Sequence, residues 1–93
     1  MKSYASVDRI EGICAVCEVE LLPVEESKPE DFADKPCEMI DVSLQEIPIE
    51  IGEVKERDIL VVEHNGKNVT HVYSKDEEEK ARRVKLLKEL MGW

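Results

Sequence analysis

The strongest folding signal in this chain of 93 residues is a β-hairpin in its second half. The stretch DILVVEHNGKNVTHVY places Asn65-Gly66 between two runs rich in β-branched residues. Asn-Gly is the favoured pair for a type I′ turn, because both positions of that turn require positive φ. A two-residue turn here predicts that His71 lies opposite Leu60 and that both histidines share one face about 13 Å apart. That distance is too long for the two histidines to bind one metal ion.

A second hairpin is indicated near the start of the chain, where SVDRIEGICAVCEVEL contains two β-prone runs around Glu11-Gly12. A two-residue turn at this pair predicts that Asp8 lies opposite Ala15 on a buried face. A buried carboxylate is a candidate functional acid. The neighbouring Arg9 leaves two interpretations open, a structural ion pair or an interaction site.

The cysteines of this hairpin do not form a metal or redox motif. A continuous strand places Cys14 and Cys17 on opposite faces with Cα atoms about 10 Å apart, beyond the ~7 Å limit for a disulfide. The other candidate ligands, Cys37, His64 and His71, follow no recognised ligand spacing. The sequence therefore predicts no metal site, and an odd number of cysteines favours a reducing cytoplasm.

The middle of the chain combines a loop with a change of pattern. Residues 22–36 contain three prolines and many acids, which predicts a long acidic loop. We expect Phe32 to anchor this loop to the core, and the alternative is that Phe32 is a contact point. The apolar positions that follow change from even to odd numbers: Ile40, Val42 and Leu44, then Ile47, Ile49 and Ile51. Because an alternating pattern changes parity only at an inserted residue, we expect a bulge or bend near Gln45-Glu46 within strand structure.

The C-terminal segment has the pattern of an amphipathic helix over about residues 75–91. Ser74 followed by Glu77 resembles a capping box at its start. The helix has an apolar stripe formed by Val84, Leu87, Leu90 and Met91. We expect this stripe to complete the core, and the alternative is docking to a partner with Trp93 as an aromatic contact.

The charge and length of the chain exclude several classes of protein. Residues 1–93 are long enough for a single domain, with a β part over 1–73. A net charge of −9 repels phosphate backbones, so nucleic-acid binding is not favoured. The chain has no apolar run of the roughly 18 residues that a membrane span needs, and MKSYASVDRI is not a secretory signal pattern. We therefore expect a cytoplasmic location.

Five short motifs, spread over most of the chain, follow the pattern of one family. They are Val7 to Gly12, Ala15-Val16, Lys55 to Leu60, Asp76 to Lys80 and Leu90 to Trp93. They match V-D-R-[IF]-E-G, a following A-V, a K-E-G-D-V-L turn, a D-E-E-E-[TK] helix start and a Leu-Met end before an aromatic. The chain thus resembles the bacterial domain-of-unknown-function family numbered 3006. It departs from the pattern at Arg57, where the family has Gly, and in the greater length of loop 22–36.

The resemblance implies a small β-barrel without assigned activity, sometimes encoded near metallo-β-lactamase-fold proteins of DNA-uptake type. Together with the sequence patterns, it predicts a mainly β (α+β) fold. We expect a five- to six-stranded antiparallel barrel or rolled sheet of SH3 or OB type with one C-terminal helix.

The expected function is that of a non-catalytic interaction or regulatory module that binds a protein partner. We expect no catalytic residue, because no nucleophile and base are placed together, and no cofactor. The interaction candidates are Asp8, Arg9 and Trp93. Two alternatives stay open: a nucleic-acid-associated small barrel, and an accessory domain to a metallo-β-lactamase-fold hydrolase.

Overall fold

The computed structural model of the chain describes residues 1–28 and 35–92, which form five β-strands followed by one α-helix. The elements are β1 (Lys2–Glu11), β2 (Cys14–Glu20), β3 (Cys37–Ser43), β4 (Ile59–His64), β5 (Val69–Lys75) and α1 (Glu77–Met91). Short 3-10 turns occur at Val24–Glu26, Leu44–Glu46 and Ile49–Ile51. Phe32 and Trp93, for which the sequence suggested roles, lie outside the described residues.

All five strands belong to one antiparallel sheet with the order β3-β2-β1-β4-β5. The long strand β1 lies at its centre, because it pairs with β2 on one side and with β4 on the other. The predicted mainly β fold with a C-terminal helix is confirmed. The edge strands β3 and β5 approach each other but share no ladder of hydrogen bonds, so the sheet is rolled without closing into a barrel.

One face of the sheet forms the hydrophobic core. The buried cluster takes alternate side chains from every strand: Ala5, Val7, Ala15, Cys17, Val19, Ile40, Val42, Leu60, Val62 and Val72. No second layer of described secondary structure covers this face, so the sheet buries it by curling around it. Partly buried apolar side chains from the turns between β3 and β4, including Ile47 and Val54, pack against the end of the cluster.

The opposite face carries a smaller apolar cluster made of Tyr4, Ile59 and Val61, with Val24 packed against it. The first half of α1 lies over this cluster, and the guanidinium of Arg83 is 5.1 Å from the centre of the Tyr4 ring. The larger cluster is therefore the core of the curled sheet, and the smaller cluster is the surface on the outside of the sheet to which the helix is attached.

The first hairpin forms with a register different from the predicted one. Its turn is Gly12-Ile13, one position later than expected, and Ile13 is exposed at the tip. This later turn places Ile10 opposite Ala15, and a bulge at Asp8 interrupts the pairing of β1 with β2 farther along the strand. Gly12 adopts φ 57°, which a glycine tolerates without strain. The prediction of Asp8 on a buried face is therefore wrong.

The second hairpin also forms, with a longer loop. The Asn65 side-chain oxygen accepts the backbone N–H of Asn68 at 2.8 Å and that of the residue before it at 2.9 Å. This side chain stabilises a four-residue connection in place of a two-residue turn. As a result His71 lies opposite Glu63 rather than Leu60.

The break predicted near Gln45-Glu46 is present, but the second strand after it is not. β3 ends at Ser43, whose hydroxyl accepts the Gln45 N–H at 3.3 Å and so caps the first 3-10 turn. Pro48 precedes the next turn and has no N–H to donate to a ladder. Ile49 consequently lies outside any strand with 95% of its surface exposed.

The helix is present over nearly the predicted range, but its apolar stripe does not complete the core. The N-cap is Asp76 rather than Ser74, and its carboxylate accepts the Glu79 N–H at 2.9 Å. The exposed fractions of the stripe are 40% for Val84, 44% for Leu87, 65% for Leu90 and 55% for Met91. The curled sheet already fills its core with its own side chains, so the helix stripe meets only the outer face of the sheet and stays largely in contact with solvent.

A matched pair of substitutions distinguishes the two environments. Leu60→Ala removes a side chain with no exposed surface and should lower the free energy of unfolding by roughly 2–5 kcal/mol. Leu90→Ala removes the same atoms from an exposed position and should change it by less than about 0.5 kcal/mol. Urea unfolding followed by circular dichroism measures both values. Equal destabilisation by the two substitutions would contradict this assignment of the core.

Candidate functional site

The predicted pair Asp8 and Arg9 lies on the surface of β1. Arg9 binds Asp8 at 2.6 Å and Glu11 at 2.5 Å, and all three side chains are about half exposed. The two bonds raise the pKa of Arg9, first through Glu11 and then through Asp8. Because these ions are solvated and bind one another along a single strand, they form a local cluster on the surface and enclose no cavity.

The structure brings together a serine and a histidine that sequence spacing did not connect. His64 Nε2 lies 3.0 Å from the Ser3 hydroxyl, and both side chains are buried. The other ring nitrogen, Nδ1, accepts the backbone N–H of Gly66 at 3.0 Å, so the proton of the neutral ring is on Nε2. Ser3 in turn donates to the Leu22 carbonyl at 2.6 Å.

This direction of hydrogen bonding is opposite to that of a nucleophile and its base. A catalytic histidine accepts the hydroxyl proton, whereas His64 donates to Ser3 and the hydroxyl is directed to a backbone carbonyl. Burial lowers the pKa of His64, and the positive charge of the N-terminal amino group lowers it further. The pair is therefore a structural chain of hydrogen bonds that ties β1, β4 and the segment after β2 together.

A network of buried charges attaches α1 to the sheet. Arg83 donates from Nε to Glu79 Oε2 at 2.8 Å, and its Nη2 lies 2.8 Å from Glu20 Oε2. The same oxygen of Glu20 lies 3.6 Å from Lys35 Nζ, and its other oxygen accepts a hydrogen bond from Ser27. The carboxylates and Lys35 are almost fully buried, with side-chain exposures of 5% or less.

The network holds four charges of balanced sign away from water. Burial disfavours the charged form of Arg83, but its bonds to Glu79 and Glu20 outweigh this effect and raise its pKa. Lys80 forms a second ionic link from the helix, at 2.8 Å from Asp58. Burial acts to raise the pKa of Asp58, yet the bonds from Lys80 and from a backbone N–H lower it overall. Ion pairs, rather than apolar packing, position the helix.

A pocket of about 250 Å³ lies beside this network between α1 and the sheet. Its lining includes Lys35, Cys37, Arg83 and Leu87. Lys35 Nζ and Arg83 Nη2 contact Glu20 without well-aligned hydrogen bonds, and both atoms are sealed from solvent. Burial raises the pKa of Cys37 to about 11, and nearby Glu18 adds to the effect, so its thiol stays protonated at neutral pH. The pocket therefore offers a ligand neither a free cation nor a nucleophile.

The cysteines lie as the strand interpretation predicted. Cys14 and Cys17 are on opposite faces of β2, and all three cysteines are free. Burial raises the pKa of Cys17 to about 12. Within residues 1–28 and 35–92, no three His, Cys, Asp or Glu side chains are grouped so as to hold a metal ion.

The largest feature left without a structural role is the C-terminal half of α1. Its four exposed apolar side chains form the stripe defined above. Lys85 and Lys88 lie beside Val84 of the stripe, and Glu89 is the only acid between residues 80 and 93. The helix thus presents a basic apolar surface on an otherwise acidic protein, and we treat it as the candidate functional site.

Comparisons with protein-family models, with curated proteins and with solved structures find no match. The resemblance to family 3006 therefore stays a prediction. In the part of the chain that the structure describes, no helix has the length and apolar character needed to cross a membrane.

Removing Arg83 should reveal how the helix is held. In Arg83→Met, Glu20 keeps the Ser27 hydrogen bond and the more distant Lys35 as its cation, so we expect a loss near the lower end of the roughly 3–5 kcal/mol typical of a broken buried pair. Lys85→Met, at an exposed position two residues later and outside the network, is the matched control and should have little effect. Urea unfolding and the helical circular-dichroism signal report the result. Equal stability of the two variants would show that the network does not hold α1.

The buried histidine predicts a pH dependence of stability. His64 has a lowered pKa in the folded chain, so the unfolded chain binds more protons below the ordinary value of about 6.5. The stability that depends on a neutral His64 is therefore fully present above about pH 6.5 and decreases as the pH falls below it. Melting curves between pH 5.5 and 7.5 should show this slope in the wild type.

Two variants assign the slope to a residue. It should persist in His71→Gln, which alters the exposed histidine, and disappear in His64→Gln whatever that variant's overall stability. If the melting temperature of His64→Gln still falls with pH as in the wild type, the group that binds the proton on unfolding is not His64.

Proposed function

We propose that this chain is a non-catalytic protein-interaction module that binds its partner through α1. One observation carries the proposal: Val84, Leu87, Leu90 and Met91 form one stripe, and each is at least 40% exposed. A folded chain of this size gains stability by burying large apolar side chains. Apolar surface that remains exposed in one continuous patch is characteristic of an interaction site.

The charges beside the stripe define the partner's chemistry. Lys85 and Lys88 beside Val84 are both exposed. A partner that buries the stripe therefore needs an apolar surface bordered by acids. Such a partner gains affinity from the apolar contact, and its charges favour rapid and specific encounter.

The remaining parts of the chain fit a scaffold for this helix. The rolled sheet has the size of small SH3- and OB-type barrels, and we retain that likeness as a proposal together with membership of family 3006 and a cytoplasmic location. An accessory role beside a metallo-β-lactamase-fold hydrolase is one form that such a partnership could take.

A nucleic-acid-binding role has weaker support. Its best basis is Tyr73 on the edge strand β5, whose exposed ring lies 4.9 Å from the Lys2 ammonium. Stacking of bases on such a ring is a common way to bind single strands. However, the Tyr73 hydroxyl donates to Glu63 at 3.1 Å, and this carboxylate would lie next to a bound phosphate backbone. The acidic surface of the sheet therefore favours a protein partner.

The proposal is tested by capture with three matched baits. Wild type, Leu87→Ser/Leu90→Ser and Met39→Ser are immobilised and exposed to the same cell extract. Met39 is an exposed apolar residue on β3, so Met39→Ser controls for the general loss of surface hydrophobicity. We expect a protein that wild type and Met39→Ser retain and that the double variant loses at least tenfold.

Stability and identity complete the test. All three baits should melt within a few degrees of one another, because the changed side chains are exposed. The retained protein is identified, and it counts whether it is a different protein or this chain itself. If all three baits retain the same proteins in equal amounts, α1 is not the binding element and the proposal fails.

A further inference from the structure

A second apolar surface lies at the end of the sheet, where the β1–β2 turn meets the 3-10 turns after β3. It is an open cleft of about 680 Å³. Its lining includes Ile10, Leu44 and Ile47, which pack against the end of the core. Ile49 stands at the cleft with 95% of its surface exposed. Ile13, 62% exposed, is adjacent, because its carbonyl accepts the Leu44 N–H at 2.8 Å.

The border of this cleft is acidic. Glu53 lines the cleft, Glu46 and Glu50 are next in sequence to its lining residues Ile47 and Ile49, and residues 44–54 contain no basic residue. All three glutamates are exposed. Lys55 and Glu56, which also line the cleft, offset each other in charge. The surface therefore combines exposed isoleucines with a net negative border.

This combination is the complement of the α1 stripe. The stripe presents exposed leucines with a basic border, and the cleft presents exposed isoleucines with an acidic one. We propose that the stripe of one copy of this chain docks in the cleft of a second copy. This inference rests on the proposed function, because it names the partner of the same helix.

The position of the two surfaces explains why the contact is between copies. The cleft is built on the side of the sheet that encloses the core, whereas α1 lies over the opposite face. No residue of α1 lines the cleft. A helix that leaves its own cleft open can fill the cleft of another copy, which is a head-to-tail contact. Such contacts repeat until the assembly closes into a ring, or they extend as an open chain.

Charge selects this contact over the simplest alternative, in which two helices pair through their stripes. Helix pairing brings Lys85 and Lys88 of one copy near the same cations of the other. Docking in the cleft instead places these cations near Glu46, Glu50 and Glu53. Because the attraction is between exposed charges, added salt should weaken it.

Sedimentation of the purified full chain tests the inference. Wild type at low salt should show a weight-average mass that rises with concentration above the 10.7 kDa of one chain. Leu90→Ser should be monomeric because its helix surface is damaged, and Ile49→Ser because its cleft is damaged. Both side chains are exposed, so melting temperatures should stay near that of the wild type.

Mixing the two variants identifies the surfaces in contact. Ile49→Ser retains an intact helix, and Leu90→Ser retains an intact cleft. An equal mixture should therefore form a one-to-one complex and no larger assembly, because only one intact helix and one intact cleft are present in each pair. A charge exchange supplies an independent check. Lys88→Glu alone and Glu50→Lys alone should each associate at least tenfold more weakly than wild type, and their mixture should associate more strongly than either.

The outcomes separate this inference from the proposed function. Association that Leu90→Ser abolishes and Ile49→Ser leaves intact would show helix pairing and overturn the cleft as the docking site. A wild type that is monomeric at every concentration would overturn self-association, while helix-dependent capture of a different protein would leave the proposed function standing. If the wild type neither self-associates nor captures a protein through the helix, both the proposed function and this inference are rejected.

Discussion

The structure depends on one constraint, which is that a single sheet must bury its own apolar face. Five strands supply the core side chains, and no described layer covers them, so the sheet curls until its edge strands approach. Burial of about ten side chains in this way supplies most of the folding free energy that apolar surface can give. The core contains no side chain of the helix, which explains why the apolar stripe of α1 remains in contact with water.

Attachment of the helix by ions follows from the same constraint. The outer face of the sheet offers only a small apolar cluster around Tyr4, which the first turns of α1 cover. Beyond it the helix meets Glu20, and the contact is made through Arg83. Buried ion pairs contribute little net stability compared with apolar contacts, but they require a specific geometry. The helix is therefore oriented on the sheet without being packed into it.

Local patterns in the sequence predicted the elements of this fold better than their registers. Both hairpins and the helix were predicted from turn residues and periodicity, because these signals act over a few neighbouring residues. Both predicted registers were wrong, since the first depends on a turn at Gly12-Ile13 and a bulge at Asp8, and the second on the hydrogen bonds of Asn65. Arg57 adopts φ 73°, a conformation that favours glycine, at the position where the resembling family has Gly.

The candidate site was only partly predictable. The stripe on α1 was recognised from its spacing, but whether it faced the core depended on how much surface the sheet could bury without it. No local signal connects Glu20 to Arg83, or Ser3 to His64 across 61 positions, because tertiary folding alone brings them together. Trp93, the third interaction candidate, lies outside the described residues, whereas Asp8 and Arg9 lie on the surface away from the helix.

The ionic attachment of α1 divides the chain into two parts that need not open together. Amide hydrogens of β1 are held between two neighbouring strands, so they exchange with solvent only when the whole sheet unfolds. The last turns of α1 bury little surface against the sheet, so a local opening that leaves the sheet intact is enough to expose their amide hydrogens. A partner that covers the stripe would therefore slow exchange at the end of the helix first, far from the residues that determine global stability.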